Sequence, residues 1–195
     1  MSKRTITRED ILDLDAYERV RDERRRQVTT LKRDRRVAVG PDATFYFENY
    51  DTMWHQIHEM LRIEKGGEAQ IEDEIGAYAP LVPKGRELVA TLMIEIDDPV
   101  RRARTLSALG GVENEVTLAV GGETIVAVPE GDVERTTAAG KTSSIHFLRF
   151  PFTAAQIAAF RRAGTRVVLA VAHPAYDHAA ALPEPVRAAL AADFD

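Results

Sequence analysis

The 195-residue sequence contains no cysteine, a single tryptophan and no apolar run near the roughly eighteen residues that a membrane-spanning helix needs. Without cysteine the chain has no disulfides, thiolate metal sites, cysteine-ligated iron–sulfur clusters or thiol nucleophiles of its own. That absence fits a reducing cytoplasm, the expected location, and the charged opening from Met1 to Asp15 is unlike a secretory signal. Glycine pairs are few, and Gly110-Gly111 and Gly121-Gly122 match neither a phosphate-binding loop nor a dinucleotide fingerprint. A nucleophile elbow is also missing, so Ser143-Ser144 beside His146 offers no hydrolase triad. What is present is a chain with 45% hydrophobic and 29% charged residues, enough to bury a real core. Its net charge of -5 argues against a surface built throughout to hold nucleic acid.

The average charge conceals a local asymmetry. Between Arg19 and Arg36 nine basic residues stand against three acidic ones, a net of +6, so the remainder carries -11. Ile11, Leu14, Val20, Val28 and Leu31 recur at helical spacing behind a Thr7 cap, which predicts one or two helices from Thr7 to about Arg33. Val37 to Val39 and Thr44 to Phe47 flank Gly40-Pro41-Asp42 and read as a short hairpin or two strand pieces. Asn49 caps a helix to about Lys65, whose arithmetic puts Tyr50, Met53, Trp54, Ile57, Met60 and Leu61 on one stripe and His55, His58, Glu59 and Arg62 on the other side. A further helix spans Glu68 to about Tyr78. Eight acidic residues against two basic ones from Glu48 to Ile75 complement the basic segment, so the two are expected to pack together or face each other.

From Arg86 onward the apolar period changes to that of strands at Leu88 to Asp97, Glu115 to Val120, Thr124 to Val128, Ser143 to Phe152 and Thr165 to Ala172. Helices at Pro99 to Leu109 and after Thr153 interrupt them, and a last one follows Pro183. The expected class is α+β: an N-terminal helical part with a short hairpin, then a two-layer α/β sandwich with a mostly antiparallel sheet. The best boundary separates a helical, charge-segregated region, 1–82, from an α+β sandwich, 83–195, with one compact domain overall as the alternative.

Three groups of side chains carry candidate chemistry. His55 and Glu59 on one helix, with His146, His173 and Glu95 from the strand region, are the candidate ligands of a divalent metal, since imidazole and carboxylate suit zinc, iron or manganese. The helix has no HExxH and no Glu-x-x-His pair, and two histidines on one helix are more often surface residues. Arg24, Arg25, Arg26, Arg33, Arg35 and Arg36 are the candidate anion site, because clustered guanidinium groups bind phosphates bidentately. A solvated helix face is the plainer reading of that run, and the lack of aromatic residues in it weighs against nucleic acid.

Phe47-Glu48-Asn49, Thr52-Met53, Gln56, Glu59 to Arg62 and Glu64, then Thr91 to Glu95, His146 to Phe150, His173-Pro174 and Tyr176 together resemble the bacterial family known as domain of unknown function 3501. The resemblance covers nearly the whole chain and adds Glu48, Gln56, Glu64, Arg149 and Tyr176 to the polar candidates. It departs from the family pattern at His58, where Gln or another residue often stands. Members are typically encoded beside rubrerythrin-like proteins and iron–sulfur oxidoreductases, so the resemblance implies an oxidative-stress or electron-transfer setting. The expectation is an accessory or partner protein of such a redox system. Its alternatives are a metal-dependent enzyme or metal-binding protein, and a phosphate- or nucleic-acid-binding protein using the basic helix.

Overall fold

The computed structural model describes residues 3–131, 136 and 140–195. The segment before the first long helix forms one 3-10 turn, Arg8–Asp10, and then α1 runs from Leu14 to Arg33. Asp13 starts α1 by accepting the Ala16 amide at 2.7 Å, a local cap that the earlier Thr7 cannot supply to it. A hairpin of β1 (Arg36–Val39) and β2 (Ala43–Phe47) follows, then α2 (Tyr50–Glu64) and α3 (Glu68–Tyr78). Asn49 and Thr52 close a capping box at the start of α2, with Asn49 Oδ1 accepting from the Thr52 amide at 3.0 Å. The rest is β3 (Glu87–Ile94), α4 (Pro99–Ala108), β4 (Val116–Val120), β5 (Glu123–Val126), β6 (Val128–Pro129), β7 (Ile145–Pro151), α5 (Ala154–Arg161), β8 (Val167–His173), β9 (Tyr176–Ala181) and α6 (Glu184–Ala191).

The α+β class read from the sequence holds, and the strands divide into two antiparallel sheets. One has the order β1-β2-β3-β7-β6 and the other β5-β4-β8-β9. The hairpin is part of the first sheet: β2 pairs with β3 from Ala43↔Ile94 to Phe47↔Ala90, which hydrogen-bonds the stretch 1–82 to the stretch 83–195. The last strand is the element that sequence periodicity misses. Tyr176 to Ala181 is alanine-rich and of low strand propensity, yet it turns back along β8 in the register His173↔Tyr176 to Val168↔Ala181.

Two cores result from the alternation of β3 and β7. Leu88, Ala90, Leu92 and Ile94 of β3, with Leu148 and Phe150 of β7, face the large core shared with Leu118, Leu169 and Val171 of the second sheet and with Phe160 and Leu190 of α5 and α6. Val89 points the other way, into a smaller core with Tyr17, Met53, Trp54 and Ile57 from α1 and α2, against which Phe147 packs. The helical layer therefore lies on the opposite face of the first sheet from the second sheet. Its seam, where α1 crosses α2, is where the charged halves of the sequence meet.

The hairpin turn is held from a distance. Tyr176 donates its hydroxyl to Val39 O at 2.7 Å and accepts the amides of Asp42 and Ala43, each at 2.9 Å. Gly40 is required there: its φ is 71°, and a Cβ would stand 2.6 Å from the His178 ring.

Candidate functional site

The basic helix and the acidic helix meet in a ladder of polar contacts. Glu18 of α1 accepts from Arg62 of α2 at 2.6 Å, and one turn along Arg21 grips Glu59 with Nε to Oε1 at 2.7 Å and Nη2 to Oε2 at 2.8 Å. This bidentate pair is partly shielded, so it is stronger than an ordinary surface ion pair. The Arg21 guanidinium, followed by the Tyr17 hydroxyl and the local positive charge, outweighs burial and holds the Glu59 carboxyl down to about 2.

Tyr17 completes the arrangement. It is 1% exposed, and its hydroxyl donates to Glu59 Oε1 at 2.7 Å while lying 3.1 Å from His55 Nδ1. A phenol has one hydrogen, and the carboxylate can only accept it, so the hydrogen between Tyr17 and His55 must be on His55 Nδ1. The neutral imidazole therefore has an Nε2 lone pair that no hydrogen bond among the described residues uses, and that can serve as a hydrogen-bond acceptor, a proton acceptor or a ligand. Burial first, and then the charges of Lys32, Arg21 and Arg25, push the His55 titration below its ordinary value in spite of Glu59.

The neighbouring His58 differs in kind. Helical arithmetic places it with the outward residues, but the N-terminal segment folds over it and leaves it 2% exposed. Its Nδ1–H donates to Trp54 O at 2.7 Å and its Nε2 accepts the Leu12 amide at 3.0 Å, so both nitrogens are committed to backbone. Burial lowers its titration to about 4. His58 and Tyr17 together back a cavity of about 310 Å³ whose other walls include Leu12, Leu14, Leu61 and Ile71.

The remaining candidates fall in separate places. Glu95 accepts from Tyr46 at 2.9 Å and lies 3.7 Å from Arg36, one residue past the end of β3. His146 is fully buried, its Nε2 2.9 Å from Ser143 O and 3.2 Å from the Thr142 hydroxyl, with Nδ1 3.6 Å from Glu113 Oε2. His173 accepts the Ala175 amide on Nδ1 at 3.1 Å, which puts its hydrogen on Nε2, 3.3 Å from Gly110 O. His146 and His173 thus touch one turn, Gly110 to Asn114, whereas His55 and Glu59 share the helical seam. Among the described residues no three histidine or acidic side chains gather into a metal-ion cluster.

The arginines also separate. Arg35 is 3% exposed and is a strut: it donates to Phe47 O and Glu48 O, each at 2.9 Å, and pairs with buried Asp193 near the C-terminus. Arg36 lies over the Tyr46 ring and Arg24 over the Trp54 ring, 5.3 and 5.0 Å from the centroids. Arg25, Arg26 and Arg33 are exposed and make no ion pair among the described residues. Of the other polar candidates, Glu48 is buried and accepts the hydroxyls of Thr52 and Thr91 at 2.6 and 2.7 Å, and Glu64 accepts from Gln70 at 2.9 Å. Arg149 bridges Glu87 and Glu130, Tyr176 clasps the hairpin, and Gln56 is half-buried on α2.

Tyr17 and Arg21 were not among the sequence candidates. The contacts that matter to them span 38 residues for Arg21–Glu59 and 42 for Tyr17–Glu59, so no local spacing announces them. The signals present were the complementary charge of the two segments and an aromatic residue near the start of an otherwise charged helix. Glu113, beside His146, likewise lies in a short turn without pattern.

The model of a family described as protein of unknown function (DUF3501) matches residues 5–194. Among solved structures, the chain is similar to a crystal structure of a novel protein of unknown function from Burkholderia pseudomallei K96243, with 41% identity, a TM-score of 0.90, and coverage of 98% of this chain and 100% of that one. No curated protein matches.

Proposed function

From the premise that the chain belongs to the DUF3501 family of unknown function, we propose that it acts as an accessory protein, docking an acidic protein partner on the outer face of α1. The observation that carries this reading is the way α1 spends its cations. Arg21 faces inward onto Glu59, while Arg19, Arg26 and Arg33, at seven-residue intervals on the outside, are exposed and make no ion pair among the described residues. Asp22 and Glu23 share this face, so the pattern fits a partner of specific charge arrangement better than a uniform polyanion such as nucleic acid.

The resemblance supplies the setting, a redox or oxidative-stress system, and with it the partner class: a rubrerythrin-like protein or an iron–sulfur oxidoreductase. Affinity purification of the tagged chain at low salt should retain such a protein, and the charge reversals Arg19→Glu, Arg26→Glu and Arg33→Glu together should release it. Retention that is indifferent to these reversals and to salt would overturn the docking face.

A further inference from the structure

The seam between α1 and α2 has a third rung without an anion. Glu18 with Arg62 and Arg21 with Glu59 are the first two rungs, with contacts at 2.6 and 2.7 Å. One turn further, four residues on from Arg21 and four back from Glu59, helical spacing puts Arg25 on the stripe of α1 that runs along His55, whose imidazole feels its charge. Where each lower rung has a cation and a carboxylate, this one has a cation and an imidazole. Lys32, seven residues beyond Arg25, returns to the same face of α1. Neither Arg25 nor Lys32 makes an ion pair among the described residues.

We propose that Arg25, Lys32 and His55 form a binding site for a phosphate-type oxyanion, which completes the third rung. A guanidinium offers two parallel donors to such a group and Lys32 adds a point charge, so the site wants more than the single charge a carboxylate brings. His55 decides the chemistry further. Its Nδ1–H is held by Tyr17, and Tyr17 by Glu59, at 3.1 and 2.7 Å, so Nε2 is the atom offered to the ligand. It accepts the hydrogen of a protonated phosphate oxygen, or takes one proton from water and donates it to a fully ionised phosphoryl oxygen. Tyr17 touches His55, and the charges that act on it are those of Lys32, Arg21 and Arg25 from α1 and of Glu59 from its own helix, which also carries His58. With Arg21 and Glu59 neutralising each other, the charges left beside His55 are the two cations Arg25 and Lys32, so the local field favours an anion over a metal cation. This inference does not rest on the docking face, which uses Arg19, Arg26 and Arg33.

The test follows the His55 ring proton resonances through a pH titration in inorganic phosphate and in chloride at equal ionic strength, which removes general screening. Bound phosphate should raise the His55 midpoint by about one unit over chloride, a tenfold coupling. Arg25→Gln and Lys32→Gln should each reduce that rise, while Arg19→Gln should leave it intact. Equal midpoints in the two salts, or a rise that survives the loss of both Arg25 and Lys32, would overturn the site. Loss of the docking partner on reversing Arg19, Arg26 and Arg33 has no bearing on this titration, so the two proposals fail separately.

Discussion

Tyr17 sets the tautomer of His55: by giving its only hydrogen to Glu59 Oε1 at 2.7 Å, it obliges the imidazole 3.1 Å away to donate from Nδ1 and to keep its lone pair on Nε2. The arrangement resembles the outer support of a histidine ligand or base, in which a second group orients the ring and a third orients the second. Its value depends on all three members, because the phenol alone could point its hydrogen either way.

Replacing Tyr17 by Phe removes that instruction and one acceptor's partner. Nitrogen chemical shifts of His55 should show the Nδ1–H form dominant in the parent and a mixture of both tautomers in Tyr17→Phe. The fold should lose about 1 kcal/mol from the missing hydrogen bond, read as a lower urea midpoint. A single unchanged tautomer in the variant would show that the ring is oriented by something other than the phenol.

Glu59 predicts an acid-side stability window. Its carboxyl is held down to about 2 in the folded chain against an ordinary 4.5, so the unfolded state binds the proton first. The contribution is complete at neutral pH and is lost as pH falls from about 4.5 toward 2. Glu59→Gln should therefore melt several degrees below the parent at neutral pH, and the gap should narrow through that window. A gap independent of pH would assign the loss to packing and not to the Arg21 pair.

Much of this architecture is legible in the sequence. Asn49, Pro99 and Thr153 each mark the helix starts they announce, because a helix start is a local matter between a side chain and the next two or three residues. The face of His58 was not legible: a helical wheel counts only the helix, and what buries His58 is the Leu12 amide, 46 residues away. The strand Tyr176–Ala181 escaped for the complementary reason, since its alanines have no strand preference and are held by the ladder with β8. The charge halves of the sequence did announce that α1 and α2 meet. Which cation finds which carboxylate, and that Arg25 finds none among the described residues, depends on the rise and crossing of two helices.

His58 gives a second pH signature, in a different window. Its proton affinity is lowered from 6.5 to about 4 in the folded chain, so between those values the unfolded state binds a proton that the folded state refuses. Stability should fall as pH drops from 6.5 toward 4 and then lose this dependence, by at most about 3 kcal/mol across the window. His58→Gln, which cannot titrate, should be less stable at neutral pH through the lost backbone contacts but should lose the larger part of that slope, the remainder belonging to His55, whose titration burial also lowers. An identical slope in the variant would place the titrating group elsewhere.

Arg35 tests whether the C-terminal end is a structural member. Its guanidinium satisfies Phe47 O and Glu48 O at the end of β2 and pairs with Asp193, a carboxyl that burial pushes above its usual range despite the cation. Truncation in Arg35→Ala leaves a buried acid and two buried carbonyls without their donor, a loss of about 3 to 5 kcal/mol for a buried pair broken on one side. The double variant Arg35→Leu with Asp193→Leu removes both charges and should recover part of that loss, because the cost lies in the stranded charge more than in the missing attraction. Denaturant unfolding of the two variants decides it, and a double variant no more stable than Arg35→Ala would mean that the backbone contacts to Phe47 and Glu48 carry the strut.

The Tyr176 clasp offers the cleanest separation of fold from function. Tyr176→Phe keeps the ring in the core and deletes one hydroxyl that serves Val39 O and the amides of Asp42 and Ala43. Three buried backbone groups lose a partner together, so the expected cost is about 2 to 3 kcal/mol, more than one ordinary hydrogen bond. The loss should be local before it is global. Hydrogen exchange at Asp42 and Ala43 should accelerate ahead of the amides of β3, because the hairpin turn loses its anchor while β2 stays paired to β3. His55 lies across the sheet from this turn, in the helical layer, so its tautomer and its response to phosphate should match the parent. Coincident acceleration throughout the first sheet would instead make Tyr176 a determinant of the whole sheet, and a changed His55 would couple the hairpin to the helical seam.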